Sequence, residues 1–324
     1  MTDSGPLFVS SGDLIADRRY KWALDQAARG DFAGAADVLM QTVALAPGFA
    51  TAWFALGAIS DRLGDRSGAI AAFERARDAD PQDYHGARLQ LARLGAGDAT
   101  PAMSETYVRR LFDQYAARYD TALTERLAYR GPALLREAVE KAMQSAQRRV
   151  HFNSMLDLGC GTGLGAAAFR TLVSQIVGVD LSPAMVAQAV TKGLYDRLVT
   201  ANVVSFLADE AANPARYNLV LAADVFVYVS DLAPILAGGA HVLSPEGLLA
   251  FTVETHSGDN VKLLATLRYA HGEPYIRRVL AEAGLAPASI AKAAVRSEKG
   301  VPVDSLVVVA RHSTTAHPPA SSDA

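Results

Sequence analysis

The sequence predicts an α/β fold: a doubly wound, mostly parallel seven-stranded sheet that ends in an antiparallel hairpin and follows an all-α domain. From about residue 150 onward, short apolar runs alternate with helical patterns, which is typical of a parallel sheet covered by helices on both faces. The last two apolar runs flank a turn containing Gly300 and Pro302, which predicts a hairpin. The first third of the chain instead contains a repeat with a 34-residue period.

Composition restricts the class of protein. The 324 residues, half of them hydrophobic, suffice for one large or two ordinary domains, and the net charge is -3. A basic surface for nucleic acid is therefore not expected, and no apolar run reaches the roughly 20 residues that span a bilayer. The N-terminus lacks a signal-peptide pattern, and the single cysteine, Cys160, excludes an internal disulfide. We expect a cytoplasmic protein without a metal site, since no His, Asp or Glu cluster has metal-ligand spacing.

The repeat consists of two copies of a helix-pair pattern. Gly30 recurs as Gly64, and Pro47 recurs as Pro81, in both cases 34 residues later. The glycines predict where the first helix of each pair ends, and the prolines predict where the second ends. We expect this helical domain to cover residues 13–96.

The second copy also carries specific side chains. Trp53-x-x-Leu56-Gly57, followed by Ala69-x-x-x-Phe73, resembles the tetratricopeptide signature. The resemblance implies a module that packs paired helices closely. Because two repeats are few for independent stability, we expect a protein partner or self-association through these helices.

Residues 95–101 are small, polar and helix-breaking, and they predict a linker. Residues 104–147 then show apolar residues at helical spacing, broken at Gly131-Pro132, which predicts a helical lead-in that could cover a site. Residues 312–324 are rich in Ser, Thr, Pro and Ala and are expected to be disordered.

A glycine-rich turn follows the first predicted strand. Asp157, Gly159, Gly161 and Gly163 stand at alternate positions, and a helical pattern follows them. Glycines allow a sharp turn and a close approach of backbone to ligand, so strand, turn and helix together predict a nucleotide cradle. Asp180 ends the second strand, where a carboxylate can accept hydrogen bonds from both hydroxyls of an adenosine ribose.

This pattern leaves NAD and S-adenosylmethionine as alternative ligands. Gly161-x-Gly163-x-x-Ala166 satisfies the dinucleotide fingerprint, with Asp180 near the expected spacing. Asp157 argues against NAD, because a carboxylate in front of the glycines repels a pyrophosphate and attracts an ammonium group. The helical lead-in and the terminal hairpin also favour S-adenosylmethionine.

Residues 104–311 resemble a class I S-adenosylmethionine-dependent methyltransferase. Residues 156–163 (LDLGCGTG) are similar to the first motif of that family, residues 177–185 to its second, and residues 217–225 to its fourth-strand motif. Residues 112–120 resemble the lead-in helix of small-molecule methyltransferases, in which the second aromatic residue closes over the cofactor.

The resemblance implies a set of residues that bind S-adenosylmethionine. The glycines line its methionine part, Asp157 faces the ammonium group, Asp180 holds the ribose, and adenine contacts come from the following loop and from the end of the third strand. The complete set is Tyr119, Asp157, Gly159, Gly161, Gly163, Asp180, Leu181, Met185, Asn202 and Asp224. Asn202 is an amide where an acid is common in the family.

Methyl transfer needs positioning first and a base only when the nucleophile carries a proton of high pKa. Candidates for the catalytic residues lie after the fourth and fifth strands: Tyr228, Glu254, His256 and His271. Three of these have a structural alternative, because His256 lies in a polar loop, His271 is expected on a helix and could cap it, and Tyr228 alternates like a core residue.

The sequence thus predicts a methyltransferase acting on a small molecule or on a protein recruited by the repeats. One alternative is an NAD-dependent oxidoreductase, for which no hydride-site partner is evident. Another is a non-catalytic adaptor with a methyltransferase-like scaffold, against which the intact glycines and Asp180 argue.

Overall fold

The computed structural model describes residues 8–100, 102–121, 128–212, 216–298 and 300–313. The chain divides into two compact units, residues 1–110 with 263–268, and residues 111–262 with 269–324. The first unit is mainly helical, and the second contains the sheet. No described helix combines the length and apolar character that a membrane crossing requires.

Five helices dominate the first unit, and α1 packs on α2, α2 on α3, and α3 on α4. Their bounds are α1 (Leu14–Ala28), α2 (Phe32–Leu45), α3 (Ala50–Arg62), α4 (Arg66–Ala79) and α5 (Ala87–Arg93). Asp31 and Asp65 cap α2 and α4 in the same way, each accepting a 2.9 Å hydrogen bond from the N–H of the glycine three residues later. The predicted helix-pair repeat is therefore present, while its identity as a tetratricopeptide module stays a prediction.

Small residues set the spacing between these helices. A Cβ placed on Gly57 in α3 would lie 2.7 Å from Cδ1 of Phe73 in α4, so only glycine allows the ring to pack there. Ala35 and Ala69 are wholly buried in α2 and α4. The close helix contacts that the sequence predicts for the repeats are observed.

The lead-in begins with α6 (Glu105–Tyr115), within which the boundary between the two units falls. Ser104 accepts a 3.1 Å hydrogen bond from the Tyr107 N–H, as expected for an N-cap. A 3-10 turn (Ala116–Arg118), α7 (Tyr119–Thr121) and α8 (Gly131–Ser145) follow. Residues 122–127 of the predicted lead-in, and residue 101 of the predicted linker, lie outside the described residues.

The second unit is built on a mixed sheet with strand order β3-β2-β1-β4-β5, to which β9 adds antiparallel at β5 and β8 antiparallel at β9. The pairs β1–β2, β1–β4, β2–β3 and β4–β5 are parallel. The main strands are β1 (Phe152–Leu158), β2 (Val173–Asp180), β3 (Arg197–Thr200), β4 (Tyr217–Ala222), β5 (Leu243–Glu254), β8 (Leu285–Glu298) and β9 (Val301–His312).

Helices cover both faces of this sheet: α9 (Leu164–Phe169), α10 (Pro183–Lys192), α11 (Val203–Ala211), α12 (Ala233–Val242) and α13 (Glu273–Glu282). Successive strand residues alternate between two cores, so Met155 packs into one and Leu156 into the other. This two-sided burial explains why the parallel strands read as continuous apolar runs.

Two parts of the sequence-based assignment need correction. A helix was expected at residues 268–272, but β7 (Tyr269–His271) lies there, and α13 begins only at Glu273, beside a proline that favours the first helical turn. β7 and a second short strand, β6 (Val261–Leu263), bring the sheet from the seven predicted strands to nine.

Asn202 was expected at the end of the third strand, but β3 ends at Thr200 and Asn202 caps α11. The expected disordered tail also starts too early, because His312 still belongs to β9. Residues 314–324 of that tail lie outside the described residues.

Candidate cofactor and acceptor site

The glycine turn between β1 and α9 requires glycine for two distinct reasons. Gly159, Gly161 and Gly163 have φ values of 62°, 53° and 96°, in the region that favours glycine. A Cβ on Gly159 would also lie 2.5 Å from Cγ2 of Val225. A Cβ on Gly161 would meet only Cε1 of Tyr119, at 3.9 Å, so this side of the turn is open to a ligand.

Asp180 joins the glycine turn to the end of β2. Its Oδ2 accepts a 2.8 Å hydrogen bond from the Gly161 N–H, and its Oδ1 accepts one of 2.8 Å from the Ser182 N–H. The side chain is largely buried, and this burial raises its pKa despite the two backbone donors. The two motifs that the sequence identified are therefore in direct contact.

Asp157 lies beneath the turn, with only 2% of its surface exposed. Its Oδ2 accepts a 2.7 Å hydrogen bond from the Tyr195 hydroxyl. Burial raises the pKa of Asp157 to about 7, although the hydrogen bond from Tyr195 opposes that shift. A Cβ on Gly165 would lie 2.8 Å from Oδ2 of Asp157, so this glycine makes room for the carboxyl group.

Tyr195 fills the space between two glycines of the second unit. A Cβ on Gly178 would lie 2.7 Å from one edge of its ring, and a Cβ on Gly163 would lie 3.1 Å from the other. Tyr195 was not predicted as a site residue, because Gly163 and Gly178 come together only in the folded chain.

The residues predicted to contact adenine occupy the loops after β2 and β3. Met185 is buried in the first turn of α10, and its N–H donates to Oγ of Ser182, the cap of that helix, at 3.1 Å. Leu181 is half-buried beside it. Oδ1 of Asn202 accepts a 2.8 Å hydrogen bond from the Val204 N–H. The Asn202 oxygen that was expected to accept a bond from adenine therefore already caps α11.

Three aromatic rings stand together next to the open side of the turn. The rings of Phe112 and Tyr119 are 6.0 Å apart, and those of Phe112 and Tyr228 are 5.1 Å apart, both edge to face. Phe112 thus connects Tyr119, predicted to close over the cofactor, with Tyr228, one of the candidate catalytic residues.

A buried arginine that the sequence analysis missed holds the two acidic candidates. Nη1 of Arg296 lies 2.6 Å from Oδ1 of Asp224, Nη2 pairs with Oε1 of Glu254, and Nε lies 3.4 Å from Oε1 of Glu298. Arg296 is 1% exposed. Asp224 and Glu254 therefore both form ion pairs with Arg296. The signal that could have revealed Arg296 is its position directly after the small and apolar residues Ala293, Ala294 and Val295 of β8.

Both candidate histidines make structural hydrogen bonds. The ring of His256 spans its own loop, with Nε2 2.9 Å from the Asn260 carbonyl oxygen and Nδ1 accepting from the Gly258 N–H at 3.0 Å. Nε2 of His271 lies 3.0 Å from the Val229 carbonyl oxygen in a fully buried position. Burial lowers the pKa of His271 to about 4. These contacts argue against the predicted catalytic roles of both side chains.

Comparison with known proteins shows that the central segment is similar to methyltransferases. Residues 156–251 match a family model described as a methyltransferase domain. The chain is 32% identical over 171 residues to human methyltransferase-like protein 27, covering 52% of this chain and 65% of that protein. It is 34% identical over 98 residues to the ubiquinone biosynthesis O-methyltransferase of Rhodopseudomonas palustris (strain BisA53), covering 29% of this chain and 37% of that protein.

The chain thus covers less than two thirds of the length of either relative. Among solved structures, magnesium protoporphyrin IX methyltransferase from Synechocystis PCC 6803 with bound SAH is 18% identical, with a TM-score of 0.48, over 64% of this chain and 99% of that one. A similarity at this level does not help to identify the family of the chain. The segment that matches the methyltransferase family model, residues 156–251, runs from the end of β1 through the glycine turn and Asp180 into β5.

Proposed function

We propose that the chain transfers the methyl group of S-adenosylmethionine to a small-molecule acceptor at the carboxyl ends of β1, β4 and β5. The observation that carries this proposal is the hydrogen bond from the Gly161 N–H to Asp180. It joins a glycine turn and an acid at the ends of adjacent parallel strands, the position at which sheets of this type bind nucleosides. The methyltransferase family match over these residues favours this donor over NAD.

The residues present fit the cofactor. The open side of Gly161 leaves room for a ligand against the backbone. A carboxylate has about four acceptor sites, so Asp180 can accept from ribose hydroxyls while it keeps its two backbone donors. Asp157 would provide the negative charge nearest the ammonium group. When bound, S-adenosylmethionine supplies an electrophilic methyl group on a sulfonium.

The chain's own residues contribute positioning and exclusion of water. Phe112, Tyr119 and Tyr228 form an apolar wall beside the turn, and a well-oriented nucleophile in a dry site can supply most of the rate enhancement. Asp224 and Glu254 are held by Arg296, so we assign them to the shape of the acceptor site and not to proton removal. This arrangement favours an acceptor that is nucleophilic without a strong base.

The relative from Rhodopseudomonas palustris is an O-methyltransferase of ubiquinone biosynthesis, and we extend only the class of acceptor, a small molecule, to this chain. For the helical unit we propose a protein partner or a second copy of the chain. Leu14, Ile15 and Trp22 of α1 are 75%, 59% and 54% exposed, which is unusual for the terminal helix of a repeat array, where the outer face is normally polar.

Isothermal titration with S-adenosylhomocysteine and with NAD tests the cofactor. We expect micromolar binding of the first and none of the second, and a loss of at least about tenfold in Asp180→Ala, since two ribose hydrogen bonds disappear. Asp209→Asn is the control, because Asp209 is an exposed carboxylate of α11. Binding of NAD alone, or of neither ligand, would overturn the proposal.

The acceptor is sought by incubating methyl-labelled cofactor with cell extract and separating labelled protein from labelled metabolites. Label in a small metabolite supports the proposal, and label in a protein would indicate an acceptor recruited through the helical unit. Cofactor binding without any labelled product would favour the non-catalytic adaptor.

A further inference from the structure

The segment from residue 111 to residue 121, which belongs to the second unit, is attached to the loop after β2. Oδ1 of Asp113 accepts a hydrogen bond of 2.5 Å from Oγ of Ser182 and one of 3.3 Å from the Ala184 N–H. Ser182 is wholly buried and is itself bound to Asp180 through its N–H. The first attachment therefore connects the lead-in to the predicted ribose acid through a single residue.

A second attachment, seven residues later, reaches the glycine turn. Oδ1 of Asp120 accepts a hydrogen bond from Oγ1 of Thr162, which lies between Gly161 and Gly163 and is 2% exposed. Oδ2 of Asp120 lies 2.5 Å from Nζ of Lys192, at the end of α10. Asp113 thus contacts the loop that contains Ser182, after Asp180, and Asp120 contacts the glycine turn at Thr162.

Tyr119 stands next to Asp120, between the two attachments in sequence. Its ring carbon Cε1 is the nearest atom to the open side of Gly161, and its ring packs edge to face on Phe112, the neighbour of Asp113. Each attachment alone is modest, because Asp113 is exposed and the Asp120–Lys192 pair is partly solvated. Together they fix both ends of the short segment that carries the ring.

We propose that Asp113 and Asp120 are positioning residues that hold Tyr119 across the open side of the glycine turn, so that cofactor exchange requires both attachments to break. This inference rests on the proposed function for its ligand. It assigns control of the entry and release of S-adenosylmethionine and S-adenosylhomocysteine to two aspartates outside the glycine and ribose motifs. Replacing both should therefore act on the rate of exchange before it acts on the stability of the fold.

The test is the dissociation rate of radiolabelled S-adenosylhomocysteine, chased with excess unlabelled ligand. We expect a few-fold acceleration in Asp113→Ala and in Asp120→Ala, and at least about tenfold in the double variant, since two charge-assisted hydrogen bonds are lost. Asp113→Asn, which keeps an oxygen for the Ser182 hydroxyl, should release the ligand at nearly the wild-type rate. Gln114→Ala, at an exposed position of the same helix, is the matched control. Wild-type release by the double variant would overturn the inference.

Hydrogen exchange of the protein without ligand separates this inference from the proposed function. In the double variant, amides of residues 111–121 should exchange faster than in the wild type, while those of β1 and β4 and the melting temperature stay unchanged. Unchanged exchange in residues 111–121 would overturn the positioning role even if the cofactor binds. If the wild type binds no S-adenosylhomocysteine, the proposed function fails, and the exchange result still decides whether the aspartates hold the segment.

Discussion

The carboxyl group of Asp157 should contribute to the pH dependence of folding of the second unit, and Asp157→Asn should remove that contribution. Burial raises the pKa of Asp157 from 3.8 to about 7. Between these values the folded state keeps a proton that the unfolded state has released, so stability falls as the pH rises. The contribution of Asp157 is fully present below pH 4 and is lost by about pH 7.

The shift of about three pKa units corresponds to roughly 4 kcal/mol of folding free energy. An amide resembles the protonated acid in charge and size, so Asp157→Asn should be more stable than the wild type at pH 8 and equally stable at pH 4. For a domain of this size, roughly 4 kcal/mol corresponds to a difference in melting temperature on the order of 10 °C. The raised pKa means that an ionised carboxylate at position 157 lowers the stability of the folded state. Folding alone therefore does not explain why an acid occupies this position.

Differential scanning calorimetry from pH 4 to pH 8 measures the difference. Tryptophan fluorescence is unsuitable, because the two tryptophans, Trp22 and Trp53, both lie in the helical unit. Burial lowers the pKa of His271 to about 4, so the contribution of His271 to folding stability decreases as the pH falls. This effect opposes that of Asp157 and flattens the pH dependence of the wild-type melting temperature. It is present in both proteins and cancels in the difference. Parallel melting curves for Asp157→Asn and the wild type would refute the reasoning, and the exposed Asp209→Asn should show such parallel curves.

Three further predictions follow from the site. Arg296→Met should lower the free energy of unfolding by about 3–5 kcal/mol in urea denaturation, because it removes a buried cation from Glu254; adding Glu254→Gln should recover part of the loss, and no recovery would contradict the ion-pair explanation. Gly159→Ala should abolish cofactor binding in titration calorimetry, whereas Gly193→Ala, with a similar φ of 61° but no atom within 4 Å, should only cost about 1 kcal/mol of stability. Under the proposed function, S-adenosylhomocysteine should bind more tightly at pH 8 than at pH 6, because its ammonium group favours ionised Asp157; equal affinities would count against that contact.

The parts of the fold that depend on local patterns could be predicted from the sequence. Apolar runs located the long strands, and glycine, proline and capping residues located most helix ends. The short strand β7 was mistaken for helix because three residues show no periodicity, and its pairing with β5 is a single long-range contact. The end of β3 was misplaced because apolar residues lie on both sides of Thr200 and Asn202, so the apolar pattern of the strand extends into α11.

The site residues also divide into those that local spacing predicts and those that depend on distant partners. The glycines and Asp180 follow from the spacing within one strand–turn–helix unit, and the structure brings them into contact. Arg296 and Tyr195 were missed because Glu254, on β5, lies 42 residues from Arg296 in the chain, and Asp157, on β1, lies 38 residues from Tyr195. Proton-transfer roles were the hardest to predict, since the sequence shows which side chains can titrate but not that Glu254 and His271 are already engaged.

The placement of Tyr195 between Gly163 and Gly178 has a consequence for natural variation. The three positions share one volume, so a side chain gained at Gly178 must be matched by a smaller residue at Tyr195 if the turn is to keep its shape. Among homologous chains, position 178 should therefore vary together with position 195, although they are 17 residues apart and belong to different strand–helix units. A smaller residue at position 195 would also leave Asp157 without its hydroxyl donor, so such lineages should carry a neutral residue at position 157 or a new donor beside it.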